Sequence, residues 1–525
     1  TFQGLNSNGT LQISTINAKT HQFNNIVRFN RKFNRRHRVN AMVGLTYDVR
    51  DVENSIYAVE DFLTMQFTTN QPAYGNVVTR PLTYVKADQQ IFSMLGRVNY
   101  TFDNKYILTA TVRRDGVSKF ADNNQYGVFP SIAFAWNAGN ERFIQNLDIF
   151  ESLKFRAGWG QIGNHGIGPY GSLSNYGVSN LYGNADGGTN VPIALQNLSN
   201  PDLTWETSKM MQFGTEFTLG TFLDGSFDFY DKRTDNLIFS RRVGPSQGIA
   251  IITVNDGELM NRGLEFDLTG HLVKKENFSL DLSVNGAFLD NEIINMPLDP
   301  ATGQQKFLDV QGSYAWSSGR SIFDFYMREW AGVDPADGAP MWYQYWDDLN
   351  DNGLLDAGEP TSSATSPWFI QNPNDANDTQ NNNQTSSIVE YQKRVNNTNI
   401  KKQITKTYTT ASQVYVNKSS IPKLQGAFRL AARVHDFDIS AQFTYSMGGY
   451  AYDGQYAELM SDRFGAAGNN YHTDIFNRWT QPGDITNVPR LADALDANAI
   501  STSTRFLTKT DFIALNNLKV GYTLS

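Results

Sequence analysis

Between Ser93 and Asn137 apolar and polar residues alternate with period two through three consecutive segments. Met94, Gly96, Val98, Tyr100 and Phe102 share one parity, against Leu95, Arg97, Asn99 and Thr101 on the other. After Asp103-Asn104-Lys105 the pattern resumes with Tyr106, Leu108, Ala110 and Val112, and again from Tyr126 with Pro130, Ile132, Phe134 and Trp136. Period two places successive side chains on opposite faces of a strand, so this stretch predicts a sheet with one apolar and one polar face. The apolar parity ends in Tyr, Phe and Trp, the residues that form interfacial girdles on membrane barrels.

The same pattern predicts roughly fifteen strands: Phe23–Phe33, Arg38–Tyr47, the three above, Leu153–Gly160, Met211–Leu219, Gly225–Lys232, Leu264–Val273, Phe278–Leu289, Phe325–Val333, Pro340–Tyr345, Gly426–Val434, Phe437–Ser446 and Phe512–Leu524. Their connections alternate between short and long. If each strand reverses direction, the short ones fall on one rim and the long ones on the other, as in outer-membrane barrels. The expected fold is therefore all-β, a large antiparallel transmembrane β-barrel, with residues 1–525 forming one partial barrel domain with long extracellular loops.

Composition fits that reading. The chain of 525 residues is 13% aromatic and 18% charged, with 42 glycines. A single soluble core stops growing well below this length, whereas a closed barrel does not. No apolar run is long enough for a membrane-spanning helix, which leaves alternating strands untouched. The absence of cysteine excludes thiolate catalysis, cysteine zinc sites and disulfides, and a net charge of -8 disfavours nucleic acid as a partner.

Several words resemble the SusC/RagA family of TonB-dependent transporters from Bacteroidetes. They are Gly96-Arg97-Val98-Asn99-Tyr100, Thr111-Val112-Arg113-Arg114-Asp115-Gly116, Tyr126-Gly127-Val128-Phe129-Pro130-Ser131, the run from Leu153 to Asn164, Asn200-Pro201-Asp202-Leu203-Thr204-Trp205-Glu206, Asn261-Arg262-Gly263-Leu264-Glu265 and the final strand from Asp511 to Tyr522. They occur in the family's order from about Gln90 onward. The resemblance implies a 22-stranded barrel in the outer membrane of a Gram-negative bacterium, filled by an N-terminal plug and opened through TonB-ExbB-ExbD. It also implies a SusD-like surface lipoprotein over the mouth and import of a large nutrient, a glycan or a peptide. The plug and the last strands are expected to lie outside this chain. No enzymatic role is expected; the alternative is a secreted carbohydrate-binding or hydrolytic β-sheet protein, which would bury Val98, Leu108, Phe134 and Leu282 on both sides.

Parity assigns Arg97, Arg113, Asp115, Lys154, Arg156, Gln212, Glu216, Glu265 and Asp267 to the polar, lumen-facing side, where a charge avoids the cost of facing lipid. Trp342, Tyr343 and Trp346 are aromatic candidates for substrate contact in a long loop, although packing within the loop explains them as well. The sharpest motif is Asp348-Leu349-Asn350-Asp351-Asn352-Gly353-Leu354-Leu355-Asp356-Ala357-Gly358-Glu359, which fits the pattern of a calcium loop at every specified position. Asp348, Asn350, Asn352, the Leu354 carbonyl, Asp356 and Glu359 would supply hard oxygens for Ca2+, with Gly353 at the sharp turn. An acidic, merely solvated turn is the plain alternative. Gly244-Pro245-Ser246-Gln247-Gly248 matches the nucleophile-elbow pattern but lacks the strand-turn-helix context it needs.

Overall fold

The computed structural model describes residues 9–63, 71–178, 182–183, 189–190, 193–242, 251–298, 305–361, 368–369, 384–385, 387–395, 397–461, 470–491 and 496–524. The Gly244 to Gly248 motif lies outside the described residues, as does the run 371–383.

Thirteen strands form one antiparallel sheet in which every strand pairs with its neighbours in sequence. We number them β1 (Thr10–Phe33), β2 (His37–Phe62), β3 (Gly75–Phe102), β4 (Tyr106–Val117), β5 (Tyr126–Trp136), β6 (Phe150–Asn164), β7 (Glu206–Leu219), β8 (Leu223–Asp235), β9 (Glu258–Lys275), β10 (Phe278–Asn295), β11 (Leu424–Val434), β12 (Phe437–Met447) and β13 (Phe512–Tyr522). Up-and-down order with short and long connections on opposite rims is what the sequence predicts. Left-handed residues make the short turns tight: Asn34 and Arg35 between β1 and β2, Asp103 and Asn104 between β3 and β4, and His435 between β11 and β12. Asn and Asp tolerate that conformation better than most residues.

The expected strand count needs correction. Phe325–Val333 and Pro340–Tyr345 do not belong to the wall. They fall within the connection from β10 to β11, where Asp324–Arg328 pairs with Gln413–Ser419, and Trp330–Val333 with Pro340–Asp347. Of these segments Pro340–Asp347 alternates like a wall strand, but the three have only 5, 4 and 8 residues, against 11 in β11, β12 and β13. A tilted strand crossing a bilayer needs about 9–11 residues. Two strands leave the count together, so the direction of every later strand is unchanged, whereas the Asp334 to Ala339 turn moves from the short-turn rim into the long connection.

Register carries the two-faced pattern around the wall. Val43, Gly96, Val112 and Pro130 are in line, as are Ala41, Val98, Ala110 and Ile132. Farther round, Phe229, Leu264 and Phe288 align, then Val284, Phe428 and Phe443. On this face Val98 is 47% exposed, Leu108 41% and Phe134 44%. Leu282, on the same face, is half-buried. A secreted protein that covered this face would bury all four, so the exposed belt favours lipid as its solvent. Aromatic rings run along the belt, with Phe217, Phe227, Phe266 and Phe288 successively about one ring apart at 6.2, 6.5 and 6.4 Å. The belt ends where charges enter the same parity, at Lys19, Asp51 and Asp88 on β1 to β3 and at Asp231, Arg262 and Asp290 on β8 to β10.

The long rim is built differently. The connections after β10 and β12 fold together into a body with its own core, in which Phe325, Met327, Trp342, Tyr391 and Phe506 are buried. Trp479 donates from Nε1 to the Pro335 carbonyl at 3.1 Å, and Trp330 from Nε1 to Asn487 at 2.6 Å, tying the two connections to each other.

Candidate functional site

The polar face of the wall carries the first site. Arg156 on β6, Gly214 on β7 and Asp228 on β8 are in register, so the arginine must reach over the intervening strand to its partner. It does: Arg156 Nη2 lies 2.9 Å from Asp228 and Nη1 3.0 Å from Glu216, which also takes Lys154 at 3.2 Å. Gly214 makes this geometry possible, because a Cβ there would sit 2.2 Å from Asp228 Oδ1 and 3.1 Å from Arg156 Nη2. Gln212 donates to the same Asp228 oxygen at 3.2 Å. Four residues expected on the lumen side, Lys154, Arg156, Gln212 and Glu216, thus form one network with Asp228, which sequence reasoning had not singled out. Its signal was available, since Asp228 lies on the polar parity of β8.

Glu265 and Asp267 lie one strand further on and line a cavity of about 610 Å3 with Asp228, Asn285, Gln425 and Ser446. Arg113 and Asp115 are brought together elsewhere, with Nε 2.6 Å from Oδ1, and Arg113 also donates to the buried Ser93. Arg97 sits apart from both groups and lines a smaller recess with Arg28, Asn30, Asn40 and Asn99. Near the short-turn end of the same face His271 bridges Asp281 at 2.7 Å and Asp224 at 3.1 Å, a triad that neither spacing nor motif announced. It is assembled from β8, β9 and β10 at a bulge between His271 and Val273.

The aromatic candidates need a second correction. Trp342 and Trp346 are 1% and 3% exposed, with Trp342 packed edge-on against Trp330 and Tyr408 at 5.6 and 5.3 Å. Their rings are core of the loop body and offer no face to a substrate. Tyr343 points to the other side of its strand, half-buried, with Lys402 Nζ 4.2 Å over its ring.

The Asp348 to Glu359 loop is wound tightly. Asp348 accepts from the backbone of Asn352 at 3.1 Å and of Gly353 at 2.9 Å, and Gly353 holds φ at +75°. Glu359 accepts from the backbone of Leu349 and Asp356, and both Asp348 and Glu359 are buried. Asp356 takes the side-chain amides of Asn350 and Asn352 at 2.7 and 2.6 Å, which holds its carboxyl below the usual carboxylate range. The carboxylates are thus turned to N–H donors, and the described residues contain no group of three or more Asp, Glu, His or Cys placed to hold a metal. Leu354 is exposed and its amide donates to the Asn352 side chain.

A wall with one lipid-facing belt, an ion-paired inner face and long loops on one rim is the architecture of an outer-membrane barrel. Residues 1–320 match the family model described as the TonB dependent receptor-like beta-barrel. The chain belongs to that family. A TonB-dependent receptor of Formosa agariphila is 28% identical over 511 residues, covering 95% of this chain and 45% of that protein. The TonB-dependent receptor SusC of Bacteroides thetaiotaomicron is 33% identical over 210 residues, covering 39% of this chain and 21% of SusC. Among solved structures, the RagAB peptide transporter matches with a TM-score of 0.72 at 21% identity, covering 97% of this chain and 50% of that one. The RagAB peptide importer in its closed-closed state matches at 0.74 and 20% identity, with 98% and 50% covered. At these identities the structural likeness speaks for the fold. The chain spans about half the length, or less, of the curated relatives it matches.

Proposed function

We propose that this TonB-dependent receptor barrel is part of an outer-membrane importer of a large nutrient, a glycan or a peptide, energised by TonB-ExbB-ExbD and capped by a SusD-like lipoprotein. The observation that carries the reading is the contrast between the two faces of one sheet. An exposed apolar belt suits lipid, while Lys154, Arg156, Glu216 and Asp228 make a wetted inner wall on which Arg97, Arg113, Asp115, Glu265 and Asp267 add further charge. Charges so placed can hold a plug or guide a polar substrate, and paired side chains can exchange partners as either moves. Deletion of the gene should abolish growth on one class of polymer, with glycans and peptides tested as separate sole nutrients. The protein should fractionate with the outer membrane and co-purify with a lipoprotein. Normal growth on both classes, or recovery in the soluble fraction, contradicts the reading.

For the Asp348 to Glu359 loop, calcium binding rests on the fit of its sequence to the calcium-loop pattern, while backbone N–H donors offset the buried Asp348 and Glu359 carboxylates. Rotation of the Asn350 and Asn352 amides would present their oxygens in place of nitrogen. Loss of protease resistance at this loop upon chelation, and its absence from Asp348→Ala in either condition, is the expected result; chelation without effect leaves an amide-satisfied turn.

A further inference from the structure

Lys119, in the connection between β4 and β5, is only 9% exposed and has no carboxylate partner among the described residues. Its Nζ lies 3.4 Å from His165 Nδ1, and because an ammonium has only donors, the imidazole must accept there. The His165 ring stands edge-on to Trp205 at 5.4 Å. Trp205 belongs to an apolar cluster with Val117, Phe120, Phe129, Ile167 and Leu203, and by register Val117 and Phe129 share the polar face of the wall with Arg113. The lysine is held in place from behind, since the Ser172 hydroxyl donates to its carbonyl at 2.8 Å. Its charged neighbour is another cation, Arg50 on β2, which also lies on the polar face, in line with Gln89, and makes no ion pair among the described residues. Asp115 is near His165 but is already held by Arg113.

Burying a cation beside a second cation costs free energy unless an anion joins them. Burial, then Arg50, lowers the Lys119 pKa, and burial, then Lys119, lowers that of His165.

We propose that Lys119, with Arg50 and His165, forms an oxyanion site at the long-loop end of the inner face, for a carboxylate or sulfate ester carried by the imported molecule. Lys119 supplies a partly desolvated charge, Arg50 an exposed second one, and His165 positions Nζ while remaining neutral. The site rests on the import reading for its biological role but not for its chemistry. Anion binding can therefore fail while import stands, and the reverse.

The test is thermal unfolding of the full-length protein in detergent, in chloride, acetate or sulfate at matched ionic strength, for wild type and Lys119→Met. Sulfate strengthens folding of any protein by exclusion from its surface, so only the difference between the two proteins counts. The expected result is a rise of several degrees in wild type, in sulfate or in acetate, that exceeds the rise in Lys119→Met. The salt that produces it separates a sulfate ester from a carboxylate. Equal shifts in both proteins overturn the proposal, as would happen if a carboxylate from elsewhere in the full-length protein already occupied Nζ. If Lys119→Met fails to assemble, Arg50→Gln at an exposed side chain carries the test: a reduced increment supports the site and an unchanged one refutes it.

Discussion

The barrel wall and the loop body between β10 and β11 are made of the same residue types arranged to opposite ends. On the wall, Phe and Tyr rings lie outermost and charges pair inside, as Arg156 does with Glu216 and Asp228. In the loop body Trp342, Phe325 and Tyr391 are interior, and Tyr391 donates its hydroxyl to the buried Asp347 at 2.6 Å. One region is solvated by lipid and the other by water, so aromatic content alone separates neither. What differs is length and continuity: wall strands carry the alternation far enough to cross a bilayer and stay in register with two neighbours.

The largest expected effect comes from placing a charge on the wall. Val98→Arg puts a guanidinium in the lipid belt, at a cost of about 2–4 kcal/mol near the midplane, and should prevent assembly into the outer membrane. Thr109→Arg, on the inner face opposite Asn99, should assemble, losing only the 2.8 Å bond from Asn99. Equal yields of heat-modifiable barrel from the two would break the comparison. Next in size is Trp342→Ala, which empties a filled interior and should cost about 3–5 kcal/mol in the loop body. Limited proteolysis should then cut between β10 and β11 while the barrel band persists; if the barrel is lost as well, the two regions are not separate folding units. A smaller effect is expected from Gly214→Val, whose side chain would displace Asp228 or Arg156 at about 1–3 kcal/mol, read as a lowered unfolding temperature without loss of insertion. Gly214→Ala should move it less in the same direction.

This contrast also explains what could be read from the chain. The wall was legible because lipid on one side and water on the other impose strict alternation, which survives in Val98, Leu108 and Phe134 without knowledge of their partners. The loop strands were misassigned because a small water-soluble sheet also alternates: Pro340, Trp342, Gln344 and Trp346 are buried while Met341, Tyr343 and Tyr345 are not. Alternation reports a face and not its solvent. Inner-face residues were found by parity, but the partnerships were not, because Arg156 meets Asp228 only across Gly214, and His271 meets Asp224 and Asp281 only through strand register and a bulge. Lys119 escaped notice for a similar reason, since it meets His165, 46 residues away in sequence, and His165 in turn meets Trp205.

The central claim is that one face of this sheet meets lipid and the other water. This chain contains no cysteine; with any cysteine elsewhere in the full-length protein replaced, single cysteines can be introduced one at a time from Leu108 to Val112 and from Ser131 to Phe134 and spin-labelled in bilayers. Collision rates with oxygen, which concentrates in lipid, and with a water-soluble relaxant should alternate out of phase. Positions 108, 110, 112, 132 and 134 should favour oxygen, and positions 109, 111, 131 and 133 the water-soluble reagent. Uniform accessibility along both strands, or protection of the even positions from both reagents, would contradict the account.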